Sequence, residues 1–261
     1  MTLIRHELRK NRIALAVWTA AVTGFIAVCT AMYPEMEGEM AGVNELFASM
    51  GAFTAAFGMD RLNFGTLMGF YAIECGNVLV IGGGFFAALQ GINTLAGEQK
   101  EGTAEFLLTH PIRRDTVLGA KLAALLVQVT VLNLTALAGA AGTIGLLGYD
   151  LPWKELLLLH GAGALCQLQL ALLCFGLSAF LRRGGMGIGL GLAVTGYFLN
   201  LAGNLTDKAA WLKYLTPFGF TDGADLLGDM ALDGPVVLTN TAIALGFALL
   251  GWLYYRKKDI L

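Results

Sequence analysis

The sequence predicts an all-α integral membrane protein of about six transmembrane helices, with both termini in the cytoplasm. Three observations carry this expectation. Of 261 residues, 56% are hydrophobic and 14% charged, with a mean hydropathy of +0.67. A soluble domain carries about 25% charged residues. The apolar residues also gather in long uninterrupted runs rather than amphipathic stripes, and the basic residues collect on one side of those runs.

The expected elements follow in chain order. Residues 13–33 contain no charge, and at ~1.5 Å per residue they cross a ~30 Å hydrocarbon layer. That apolar core exceeds the 7–15 residues typical of a signal peptide, so a retained span is expected. Residues 69–96 carry one carboxylate, Glu74, and residues 116–147 only Lys121. Residues 156–181 and 186–203 are separated by Arg182, Arg183, Gly184 and Gly185, and 236–255 is the last run. Helices are required because unpaired backbone groups in lipid cost several kcal/mol each. The runs are too long and too uniform for barrel strands of about 10 alternating residues. Residues 1–261 thus read as one transmembrane domain.

Charge sets the orientation. With an even number of spans, Arg5, Arg9, Lys10, Arg12, Lys100, Arg113, Arg114, Lys121, Arg182, Arg183, Arg256, Lys257 and Lys258 share one side. Only Arg61, Lys154, Lys208 and Lys213 lie on the other. The positive-inside bias makes the first side cytoplasmic. The opposite loops are acidic, with Glu35, Glu37, Glu39 and Glu45 in one and Asp222, Asp225, Asp229 and Asp233 in another. The basic residues flank spans and form no contiguous patch, which argues against nucleic-acid binding.

Several chemistries lack their motifs. No G-x-x-x-x-G-K-[ST] loop occurs, His6-Glu7 lacks the second histidine of H-E-x-x-H, and Ser49 and Ser178 stand outside any G-x-S-x-G. No catalytic residue and no enzyme activity is expected. Cys29, Cys75, Cys166 and Cys174 all fall in apolar runs without metal spacing. Gly187-x-Gly189-x-Gly191 is followed by Val194 where a dinucleotide fingerprint needs its third glycine.

Positive candidates are few. Glu74 and Asn77, three apart in the second run, are a candidate substrate path because intramembrane ionisable groups are functional suspects. The other reading is that Glu74, ~7 Å inside the outer end, reaches headgroups or packs on a helix. Gln167 and Gln169 point in different directions and make poor partners for one site. Gly185 with Gly189, and Gly187 with Gly191, form small-residue faces suited to helix packing or a dimer seam. Phe47 to Phe57 is expected to form a short external helix. Between the second and third runs, residues 98–110 predict a short helix ended by Pro111, either interfacial or a handle for a soluble partner.

This last segment carries a family resemblance. Glu98-x-x-x-Gly102-Thr103, then Phe106-Leu107-Leu108, Pro111-Ile112-Arg113-Arg114 and Gly119-x-Lys121, resembles the cytoplasmic coupling element of type-2 ABC exporter permeases. The N-terminal Ile4-Arg5-His6-Glu7-Leu8-Arg9-Lys10-Asn11-Arg12 is similar to that family's N-terminal interfacial helix, and Tyr214-Leu215-Thr216-Pro217-Phe218 and Tyr255-Arg256-Lys257-Lys258-Asp259 are similar to its habits before and after the last span. The resemblance implies a permease paired with a second copy or paralogue in a bacterial plasma membrane, with ABC ATPase subunits docked below. ATP and Mg would sit on those partners and no cofactor on this chain. Glu98, Glu101, Gly102, Thr103, Glu105 and Thr109 would contact the ATPase subunit. The few polar groups suit an amphiphilic cargo taken from membrane lipid. A gradient-driven secondary transporter, or a non-transporting assembly subunit, is the alternative; the first predicts repeats and midplane charges that the sequence does not display.

Overall fold

The computed structural model describes residues 2–37, 40–101, 113–181 and 185–258. Among these, all regular structure is helical. An N-terminal helix, Thr2–Lys10, precedes six helices long and apolar enough to cross a bilayer. They are Arg12–Met36, Leu67–Gly97, Arg114–Leu146, Trp153–Ser178, Met186–Leu205 and Gly234–Lys257. Each coincides with one expected run. The third has 33 residues, about 50 Å of helix against a layer of about 30 Å. It must therefore tilt or project beyond the hydrocarbon.

Local chemistry fixes where the helices start. Thr66 accepts from the Gly69 amide at the start of the second span. Asp233 accepts from the Val236 amide at 3.2 Å, with Pro235 in the first turn, where a missing N–H costs nothing. The second span is not a regular α-helix: a π-helical turn, Ala72–Gly76, interrupts it one turn after it begins.

The bundle is organised around the second and fourth spans, which are the most buried and pack on one another. The first span lies against the third, the fifth against the second and the sixth against the fourth. Phe86, Ile92, Leu95, Cys166 and Phe175 are fully enclosed in the resulting core. The sixth span approaches the fourth so closely at Gly176 and Gly251 that a Cβ on either would overlap the opposing backbone. In lipid, where apolar burial drives little association, such close backbone approach is a main source of helix affinity. Side chains such as Val28, Leu134, Phe198 and Leu249 remain exposed, as a lipid-facing surface requires.

The end that carries both termini is the basic end; the opposite end is acidic. At the acidic end the stretch from Phe47 to Phe57 forms parts of two short helices, Met40–Ser49 and Ala52–Ala56, rather than one. Gly51, at φ 58°, makes the break between them. Phe47 packs on Phe64 with ring centroids 4.8 Å apart. The connection to the sixth span coils as two 3₁₀ segments, Asp207–Leu215 and Pro217–Phe220, and a short helix, Gly223–Asp229.

Candidate functional site

The basic end is built around the foot of the third span. Lys121 is the one cation of the apolar stretch 116–147, and such a group must find a partner. Its Nζ donates to Glu7 Oε1 of the N-terminal helix at 2.7 Å, and the lysine side chain is only 3% exposed. About two turns below, Arg114 donates to the carbonyls of Arg256 and Lys258 at 3.1 and 2.7 Å. Those carbonyls close the sixth span, where helix geometry leaves acceptors unpaired and a cation is favoured. Asp115 accepts from Trp252 Nε1 at 3.0 Å and pairs with Arg256 at 3.2 Å. Lys258 Nζ donates in turn to the Ala179 carbonyl at 2.7 Å, just past the fourth span. The foot of the third span is therefore tied directly to the N-terminal helix and the sixth span, and through the latter to the fourth.

The expected coupling segment adjoins this clamp. The backbone of Glu98 and Glu101 continues the helix of the second span. Gly102, Thr103, Glu105 and Thr109 lie outside the described residues, as does most of the expected helix over 98–110. Arg113 stands one residue before the third span, as its N-cap.

Polar side chains cross-link the middle of the bundle. Gln167 Nε2 donates to the Leu79 carbonyl at 3.0 Å, and Asn133 Nδ2 donates to Gln167 Oε1 at 2.7 Å, joining spans two, three and four. Gly83 leaves the room this amide occupies; a Cβ there would overlap the Gln167 side chain. Gln169 instead donates to Thr241 of the sixth span at 2.8 Å. The two glutamines thus serve different interfaces, as their spacing implies. Tyr71 Oη and His160 Nε2 share a buried hydrogen bond at 2.8 Å.

Glu74 and Asn77 fall on either side of the π-turn boundary and meet different neighbours. Half-buried Glu74 lies in electrostatic range of Cys29 on the first span. Asn77 donates to the Ile73 carbonyl at 2.8 Å and lines a small cavity with Asn200 and Tyr197 of the fifth span. A π-turn widens the helix and is a frequent feature of functional sites.

The four candidate seam glycines, Gly185 at the N-cap of the fifth span and Gly187, Gly189 and Gly191 within it, divide into two faces. Gly185 and Gly189 pack on Ile92 of the second span, where a Cβ at Gly189 would lie 2.9 Å from Ile92 Cγ2. A Cβ on Gly187 or Gly191 would meet nothing within 4 Å.

The acidic end holds an ion network that spacing alone does not reveal. Arg61 pairs with Asp225 and, at 3.4 Å, with Asp222; Lys213 also reaches Asp225 at 3.0 Å. Asn204 Nδ2 donates to Asp222 Oδ2 at 2.7 Å and to the Ala56 carbonyl at 2.9 Å. Burial, and then the neighbouring Asp225 charge, push the Asp222 carboxyl above its ordinary range despite Arg61, Lys213 and the Ala224 amide. Burial acts upward on Asp225 too, but hydrogen bonds from Arg61 and Lys213 outweigh it and hold that carboxyl below its ordinary range.

Six apolar spans, polar cross-links within the bundle and a charged clamp at one end define a multi-pass α-helical membrane protein. The chain belongs to a known transporter family: a family model described as ABC-2 family transporter protein matches residues 1–218. It is accordingly a membrane component of an ABC transporter. The match includes the N-terminal helix, the segment after the second span and the first five spans; the sixth lies beyond it. Comparison with curated proteins finds no match.

Proposed function

We propose that this chain is the permease subunit of an ATP-driven exporter in a bacterial plasma membrane, with both termini cytoplasmic. It pairs with a second permease, identical or paralogous, and moves an amphiphilic substrate outward. ATP and Mg reside on separate ABC ATPase subunits, which dock at the basic end against Glu98, Glu101 and the residues up to Thr109.

One observation carries this reading: the foot of the third span, where the chain resumes after that segment, is clamped to the N-terminal helix through Glu7–Lys121 and to the sixth span through Arg114 and Asp115. A displacement delivered to the foot of the third span has this clamp to act on. It passes into the third span at once and into the first and sixth through the clamp. ATP can bias the transport equilibrium only through contacts that differ between the two conformations, and this junction offers them.

Affinity purification of the tagged chain in mild detergent from its native host tests the proposal. A soluble subunit bearing a Walker A loop should co-purify and be lost on Glu98→Lys with Glu101→Lys. Absence of any such subunit while other membrane complexes survive, together with transport that ATP does not stimulate, would reject it.

A further inference from the structure

Beside the Glu7–Lys121 clamp lies an open cavity of about 330 Å³, lined by both residues and by others of the N-terminal helix and the first three spans, with Met186 of the fifth also in its wall. That volume lies at the lower end of the roughly 300–1,000 Å³ typical of small-molecule sites. Gln90, Asn93 and Gln128 all line it. Gln90 stands seven residues before Gly97, the last residue of the second span, or about 10 Å into the span at 1.5 Å per residue.

These three amides are underused. Gln128 is 2% exposed; its Nε2 donates to the Ala124 carbonyl at 3.2 Å, while its Oε1 is buried without a partner. The side chains of Gln90 and Asn93 make no hydrogen bond to any described residue, although neighbouring Thr94 is satisfied by the Gln90 carbonyl at 2.7 Å. Burying an amide without a partner costs roughly 1–3 kcal/mol. Gln128 carries that cost, while half-buried Gln90 and Asn93 line the same cavity with amides that a hydrogen-bonding occupant can reach.

We infer that this cavity binds the uncharged, hydroxyl-bearing headgroup of an amphiphile drawn from the leaflet at the basic end. The choice of headgroup follows from the lining. Amides both donate and accept, as hydroxyls do. A phosphate or carboxylate would need an uncommitted cation, but Lys121 is held by Glu7 and Lys10 is not free. The lipid origin follows from position. Wall residues Ala14 and Met186 sit beside Ile13, Val17 and Ile188, whose apolar side chains are exposed on the lipid-facing surface. An acyl chain can lie along that surface while its head occupies the cavity. The use of this site in export rests on the function proposed above; the binding itself does not.

The test is native mass spectrometry of the purified chain from phosphatidylcholine nanodiscs containing equal small fractions of monoglucosyl diacylglycerol and phosphatidylglycerol with matched chains. The glucosyl lipid should be retained about ten-fold over phosphatidylglycerol. Gln128→Leu and, separately, Asn93→Leu should lower that preference about ten-fold, with thermal unfolding showing that each variant remains folded. Equal retention of both lipids, or a preference unmoved by the folded variants, overturns the assignment. Retention that persists while ATP-driven transport fails would reject the exporter reading and leave the site standing.

Discussion

Glu7 and Lys121, 114 positions apart, meet at 2.7 Å in a nearly dry contact that pins the N-terminal helix to the third span. The Lys121 side chain is almost wholly withdrawn from water, so removing it takes from the Glu7 carboxylate the cation it meets. Lys121→Met alone should cost about 3 kcal/mol of stability, as breaking buried pairs does. The double variant Glu7→Leu with Lys121→Met should recover most of it. Denaturant unfolding in detergent of the wild type, two singles and the double measures the coupling; additive losses would show that the pair does not act as a unit.

At the crossing of the second and fourth spans, Gly83→Ala forces a methyl into the space of the Gln167 amide. Overpacking of this kind costs about 1–3 kcal/mol. Adding Gln167→Ala should reverse much of the loss, because the obstruction is a side chain. No partner substitution should rescue Gly176→Ala, whose obstruction is backbone of the sixth span. Melting temperatures of Gly83→Ala, of its double variant with Gln167→Ala and of Gly176→Ala separate the two cases.

Gly191→Leu should leave the melting temperature of the isolated chain nearly unchanged, since nothing lies within 4 Å of that position. Gly189→Leu should lower it markedly by driving the fifth span off Ile92. If the Gly187–Gly191 face is the seam between permeases, Gly191→Leu also shifts the detergent-solubilised protein from dimer to monomer in light scattering. An unchanged dimer would assign that face to lipid.

The two carboxylates of the acidic end titrate in opposite senses. Asp222 binds its proton more tightly folded than unfolded. Lowering the pH through its raised folded pKa, toward the unfolded value near 4, therefore adds stability. Asp225 is depressed, so its contribution is intact above about pH 4 and lost as the pH falls through its folded pKa. Stability of this end should peak near pH 4. In Asp222→Asn the gain between pH 7 and 4 should disappear, and in Asp225→Asn the loss below pH 4 should shrink. Melting temperature against pH for the three proteins measures both effects.

Much of this architecture is legible in the sequence, because spanning a bilayer imposes a length and composition that few other constraints mimic. All six spans appear within a few residues of their expected bounds. The break at Gly51 was less legible, since the apolar run through Phe47 and Phe57 gives no sign of a positive φ. Lys121, Gln167 and Gln169 advertise themselves as polar groups in apolar runs, yet their partners lie 114, 34 and 72 residues away. A residue's need for a partner is a local property, while the identity of that partner belongs to the packing. The cluster of Arg61, Asp222 and Asp225 was hidden for the same reason: each reads as an ordinary loop charge until the acidic end folds.

The most direct test of the central claim places a single cysteine at Thr103 in a background lacking the four native cysteines. Treating native membranes with a short amine–thiol cross-linker should join this position to a subunit bearing a Walker A loop. The adduct should be lost with Glu98→Lys and Glu101→Lys, and a cysteine at Leu232 of the acidic end should give none. Cross-linking from Leu232 and not from Thr103, or from neither while the chain still transports, would contradict the docking of an ATPase at the basic end.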